Sequence, residues 1–160
     1  MSQKKILLEQ FKASIDNHWF VSLSHALNDL SAEQASWKDN QEVHSIWEIT
    51  NHLIYYNQRY LQRFKGTPLE NGVDGNDATF EGGTESWTNT VKRMDSIMNE
   101  WRQSIETCEE EKLASRVSEN SEDTWEMTLA NLVIHHAYHT GQVVHILKTQ
   151  GRWNSERGVH

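Results

Sequence analysis

Residues 87–108 read WTNTVKRMDSIMNEWRQSIETC. Their apolar side chains fall at Trp87, Val91, Met94, Met98, Trp101, Ile105 and Cys108, in steps that alternate four and three. That alternation keeps all seven on one face of an α-helix, and it is the seam along which helices of a bundle meet. Thr84, just after Gly82 and Gly83, is a suitable N-cap. Cys108 closes the stripe and is expected to be a buried structural thiol.

Three more stripes flank this one. Upstream, Leu8, Phe11, Ile15, Trp19, Leu23, Leu27 and Leu30 predict one long first helix ending near Ser31, where SAEQ (31–34) resembles a capping box for a short further turn. Ile46, Ile49, Leu53, Tyr56, Tyr60 and Phe64 predict a second helix. Ser45 and Glu48 form its S-x-x-E box, and Gly66 and Pro68 stop it. Downstream, Leu129, Leu132, His136, Val143 and Leu147 predict a fourth, with Val133 and Ile146 alongside. Thr128 or a residue a little earlier would cap its start, and Gly151 its end. Residues 66–83 and 109–127 read as long loops. Four amphipathic stripes without a strand pattern predict an all-α four-helix bundle filling residues 1–160 as one domain, up-down-up-down or with one crossover.

Composition narrows the function. The chain has 160 residues, one cysteine, one proline and a formal net charge of −8, with a mean hydropathy of −0.76. A single cysteine allows no internal disulfide, and the N-terminal apolar run is too short for a secretion signal, so a cytoplasmic location is expected. The acidic balance, with no Lys/Arg cluster, argues against nucleic acid and anionic membranes. No stretch reaches the roughly 20 apolar residues that span a bilayer. Small molecules, metals and protein partners remain. The seven tryptophans supply much of the core. Trp87 and Trp101 lie on the third stripe, Trp47 is placed to face a partner subunit, and Trp37, Trp125 and Trp153 fall near helix ends, where a pocket mouth or an interface would sit.

Nine histidines are present, and four of them, His135, His136, His139 and His145, fall in the fourth helix. Residues four apart share a helical face, so His135 and His139 can reach one ion; His136 and His139, three apart, are the next pair. A third ligand must come from another helix. His52, between Ile49 and Leu53, is the first choice, ahead of His18 and His25. His44 is expected to face solvent, and His160 is terminal. Glu48, one turn before His52, offers a carboxylate, although its capping box already employs it. His136 occupies the place where a zincin H-E-x-x-H carries its glutamate, which argues against that peptidase class. Gln142, three residues beyond His139, is a candidate to orient a ligand, whereas Gly141 is expected to allow close helix packing.

The run His135-x-x-x-His139-Thr140-Gly141-Gln142, taken with His52 in SIWEITNHL (45–53), resembles the signature of the DinB/YfiT-like superfamily. Gly-Thr-Pro-Leu after the second helix, and the acidic segment running to Phe80, resemble it too. The resemblance covers nearly the whole chain. It implies a four-helix bundle, usually a homodimer, binding a divalent metal through His52, His135 and His139; histidine nitrogens suit zinc, nickel, copper and iron, and zinc or nickel is expected. Thr140 stands where the family often has arginine. Characterised branches are S-transferases using a low-molecular-weight thiol such as bacillithiol, and mycothiol-dependent isomerases. The resemblance therefore implies a metal-dependent thiol S-transferase acting on a small-molecule substrate. Alternatives are a metal-dependent hydrolase, with His136, Tyr138 or Glu48 as base, and a non-catalytic metal-binding or interaction bundle.

Overall fold

The computed structural model describes residues 2–69 and 71–157; His160 lies outside them. The described chain is helical, and its only β pairing is a single bridge between Arg116 and Thr124. Seven α-helices form: α1 (Gln3–Ile15), α2 (Leu23–Leu27), α3 (Ala32–Ser36), α4 (Ile46–Lys65), α5 (Trp87–Thr107), α6 (Glu110–Ala114) and α7 (Trp125–Thr149). Four are long, as the four stripes require. No described helix is long and apolar enough to cross a membrane.

The first stripe does not run through as one helix. Asp16 ends α1 in an extended conformation. Asn17 Oδ1 then accepts from the Ser22 N–H at 2.9 Å, and Ser22 Oγ donates to the Ile15 carbonyl at 2.9 Å. These side-chain bonds hold a turn that competes with the helix, as Asn and Ser side chains do. Trp19 consequently stands 81% exposed, while Leu23 and Leu27 are buried from the separate helix α2. The caps elsewhere follow the sequence. Ser31 and Ser45 each form a full capping box. Gly66 ends α4 at φ +69, a left-handed conformation that glycine adopts without strain.

Three local expectations shift. Ser86, not Thr84, caps α5. The α7 helix begins at Trp125 behind Thr124, so Trp125 lies in the core at 2% exposed. The 109–127 stretch is not all loop: α6 forms there and buries Leu113, its single apolar anchor, too little for a visible periodicity. Cys108 is half-buried at the α5 C-cap, its Sγ–H donating to the Ile105 carbonyl at 3.3 Å, and burial raises its pKa.

Packing among the long helices fixes the site. The α1 helix lies against α5 and α7, and α4 lies against the same two. Of the three consecutive pairs among the four, α4 and α5 pack directly, whereas α1 with α4 and α5 with α7 sit on diagonals, joined by connections that cross an end of the bundle. Trp101 fills the centre, its ring 5.9 Å from Phe11 and 5.5 Å from Phe64, and Phe64 meets Trp125 edge-on at 5.0 Å. Trp47 is engaged within the chain, edge-on to Trp87 at 5.6 Å. Because α4 and α7 are neighbours, one face of each is turned toward the other, and that shared seam carries the histidines.

Candidate metal centre

His52 lies beside Leu53 on the buried face of α4, and His135 and His139 occupy successive turns of α7. The three imidazoles converge. His135 Nε2 is 3.0 Å from His52 Nε2 and 2.9 Å from His139 Nε2. One ligand atom from each of the three lies within 4.8 Å of the others. His52 and His139 are 5% exposed, and His135 is half-buried.

The surroundings decide which nitrogens face inward. Thr79, in a 3-10 turn (Asp77–Thr79), donates its hydroxyl proton to the Asn76 carbonyl at 2.5 Å. Its oxygen must therefore accept from His52 Nδ1–H, 2.6 Å away. Gln142 Nε2 donates to the Tyr138 hydroxyl at 3.3 Å, leaving Oε1 to accept from His139 Nδ1–H at 2.6 Å. Two of the three rings are thus set with Nδ1 protonated and the Nε2 lone pair turned to the cluster, the tautomer a metal needs.

Burial, followed by the neighbouring imidazoles, pushes His52 down to about 3 and His135 to about 4. Burial lowers His139 as well, with Gln142 opposing. All three are neutral near pH 7, the form in which histidine ligates. A single proton on His135 Nε2 can satisfy only one of its two short contacts well, whereas a cation among the three satisfies all of them. Nitrogens sharing one zinc at about 2.0–2.1 Å stand about 2.9–3.4 Å apart, which matches the two separations from His135 Nε2. The residues therefore fit a divalent ion.

The cluster opens on a cavity of about 870 Å³. Its walls come from α4, α7 and residues 37–44, with Ile49, Phe80 and Ile146 on the apolar side. Phe80 lies flat between two imidazoles, 4.1 Å from His52 and 3.8 Å from His44.

A family model described as the DinB superfamily matches residues 15–145. The chain belongs to the DinB superfamily. No curated protein and no solved structure matches it.

Other histidines of this DinB chain lie elsewhere. His136, although correctly spaced from His139, turns into the bundle core: its Nε2 is 2.8 Å from Asn57 Oδ1, its Nδ1 3.3 Å from Ser14 Oγ, and Phe11 packs edge-on against it. It contacts none of the three clustered rings through a hydrogen bond, so it neither ligates nor supports a ligand directly. His18 and His25 are exposed and apart from the cluster, with His25 bonded to Ser22. His44 and His145 are exposed and line the large cavity.

Glu48 is also not part of the cluster. Its Oε2 accepts from the Ser45 N–H at 2.8 Å, and its Oε1 pairs with Lys38 at 2.7 Å. The capping box and the lysine hold the carboxylate away. Gln142 does touch a clustered histidine. Gly141 has no packing role, for a Cβ placed there meets nothing within 4 Å, and the residue borders the cavity instead. Thr79 escaped the sequence reading, since it lies in a Gly/Asn/Asp-rich segment with no periodicity to tie it to His52.

The buried imidazoles set a pH dependence. Burial pushes His136 down to about 3. In the unfolded chain these groups take up protons near pH 6.5, so below that pH the unfolded state binds more protons. Stability is full above about pH 6.5 and is lost as the pH falls toward 3, by up to about 1.4 kcal/mol per pH unit for the wholly buried His136 and by less for the three clustered rings, whose charge solvent partly screens. Urea titrations of chelator-treated protein between pH 7.5 and 5 should show midpoints that fall steadily. Unchanged midpoints would refute burial of these rings in neutral form.

Proposed function

We propose that this DinB protein is a metal-dependent S-transferase for a low-molecular-weight thiol, with His52, His135 and His139 as ligands to zinc or nickel. The observation carrying it is the convergence of three imidazole Nε2 atoms in the wall of a cavity of about 870 Å³, within the size range of small-molecule sites. Three nitrogen ligands from two helices leave room for a further group on the cavity side, as catalytic rather than structural sites do. A divalent ion there supplies the positive charge that makes a thiol ionise near neutral pH. The protein's own contribution is to hold three imidazoles neutral, through burial, and aimed, through Thr79 and Gln142. The apolar wall of Ile49, Phe80 and Ile146 suits the carbon skeleton of an electrophile and keeps water from it. Cys108 takes no part: it sits at the end of α5, outside the cavity lining. The choice of thiol over water rests on the family resemblance.

The test uses protein made without a histidine tag. Elemental analysis should find near-stoichiometric zinc or nickel. Cobalt-loaded protein should change its absorption when 2-mercaptoethanol or glutathione is added, and consumption of an aryl halide should require the thiol. Turnover of esters or amides that is indifferent to thiol would replace this reading with the hydrolase. A protein that takes up no zinc, nickel or cobalt would end both.

A further inference from the structure

The histidine cluster is open on a second side. A smaller cavity, of about 370 Å³, also has His52 and His135 in its wall. The two rings therefore stand between two spaces, and the spaces differ in chemistry. The large one has an apolar wall of Ile49, Phe80 and Ile146 and is also lined by Lys38, Asp39 and Glu42. The small one is lined by Tyr56, Tyr60, Thr128, Asn131 and Asp123.

Asp123 is the one carboxylate in that lining, and it forms no ion pair among the described residues. Its backbone is fixed, because its carbonyl accepts from the Val117 N–H at 3.0 Å and its N–H donates to Ser121 Oγ at 3.1 Å. Its side chain is exposed and available. Tyr56 is held in place as well. Its hydroxyl donates to Asn76 Oδ1 at 3.1 Å, and its ring meets His52 edge-on at 5.0 Å and His135 at 5.9 Å. A carboxylate that lines the same cavity as two tyrosine rings suits an ammonium group, which gains from both the charge and the aromatic faces.

We propose that the small cavity seats the thiol cosubstrate and that it selects an aminothiol, with the ammonium toward Asp123 and the sulfur toward His52 and His135. The large cavity is left to the electrophile, so the two reactants approach the cluster from different sides. This inference rests on the S-transferase reading above.

The test measures binding to cobalt-loaded full-length protein by absorption titration with cysteamine, 2-mercaptoethanol and 3-mercaptopropionate. The intrinsic acidity of each thiol is common to parent and variant, so the readout is the change in affinity ratio on substitution. Asp123→Asn should lower the preference for cysteamine over 2-mercaptoethanol about tenfold, the scale of losing a charged hydrogen bond, and leave 2-mercaptoethanol binding unchanged. Asp123→Lys should shift the order toward 3-mercaptopropionate. Ratios that are the same in the parent and both variants would overturn the aminothiol seat while the S-transferase reading stands. Failure of every thiol to bind the metal-loaded parent would overturn both.

Discussion

His52→Ala is expected to weaken zinc or nickel binding by about 100-fold or more. A four-ligand zinc site is worth about 10–16 kcal/mol in small domains, or about 3 kcal/mol for each ligand, and each 1.4 kcal/mol is a factor of ten. His52 is the one clustered histidine contributed by α4. Without it, His135 and His139 remain as an i, i+4 pair on one helix, a weak chelate open to solvent. The same loss should appear in stability. A ligand present at about 1,000 times its Kd adds about 4 kcal/mol to the folded state, so added zinc should raise the melting temperature of the parent and barely move that of the variant. Thr79→Ala keeps all three rings but releases His52 Nδ1–H from its acceptor. Its effect should be the smaller one of about 10–100-fold typical of supporting residues. Competition against a chromogenic chelator measures all of these. Parental affinity in His52→Ala would disprove the assignment of this residue as a ligand.

Trp101→Ala should destabilise the fold by about 3–5 kcal/mol, the usual cost of emptying a large aromatic from a closed core. Trp101 is fully buried and touches both Phe11 and Phe64, so it joins three of the four long helices. Its indole Nε1 has no hydrogen-bond partner among the described residues. That orphaned donor already carries a desolvation cost of about 1–3 kcal/mol. Trp101→Phe removes the orphan along with some volume, so the two effects oppose each other and the net loss should stay below about 1.5 kcal/mol. Denaturant midpoints at constant m-value separate the two substitutions. Similar large losses in both would show that indole volume, not the ring's position between two phenylalanines, dominates.

Much of this architecture is legible in the amino-acid sequence because it rests on periodicity and capping chemistry, which are local. Ser45 with Glu48, Ser31 with Gln34 and Gly66 all act as their residue types predict. Periodicity also misled at one point. Trp19 lies four residues after Ile15 and four before Leu23, so the first stripe stays in step across a break that only the bonds of Asn17 and Ser22 impose. At the site, His136 falls in register with Leu132 and Val143 and goes to the core with them. His135, one residue earlier, faces α4. Spacing to His139 allows either, and the apolar register separates them. The bond from His52 to Thr79 joins residues 27 apart in sequence, one of them in an irregular segment, and no local pattern encodes it.

The open space in front of Gly141 gives the large cavity an adjustable boundary. The position is helical, with no unusual backbone torsion, so any side chain fits the main chain there, and alanine would gain helix stability of about 1 kcal/mol. Side chains of increasing length at 141 would advance into the cavity step by step without contacting a clustered histidine's hydrogen-bond partner. The point in such a series at which a compound stops binding, while the metal stays, works as a calliper: it reads the width of the natural substrate before that substrate has been identified.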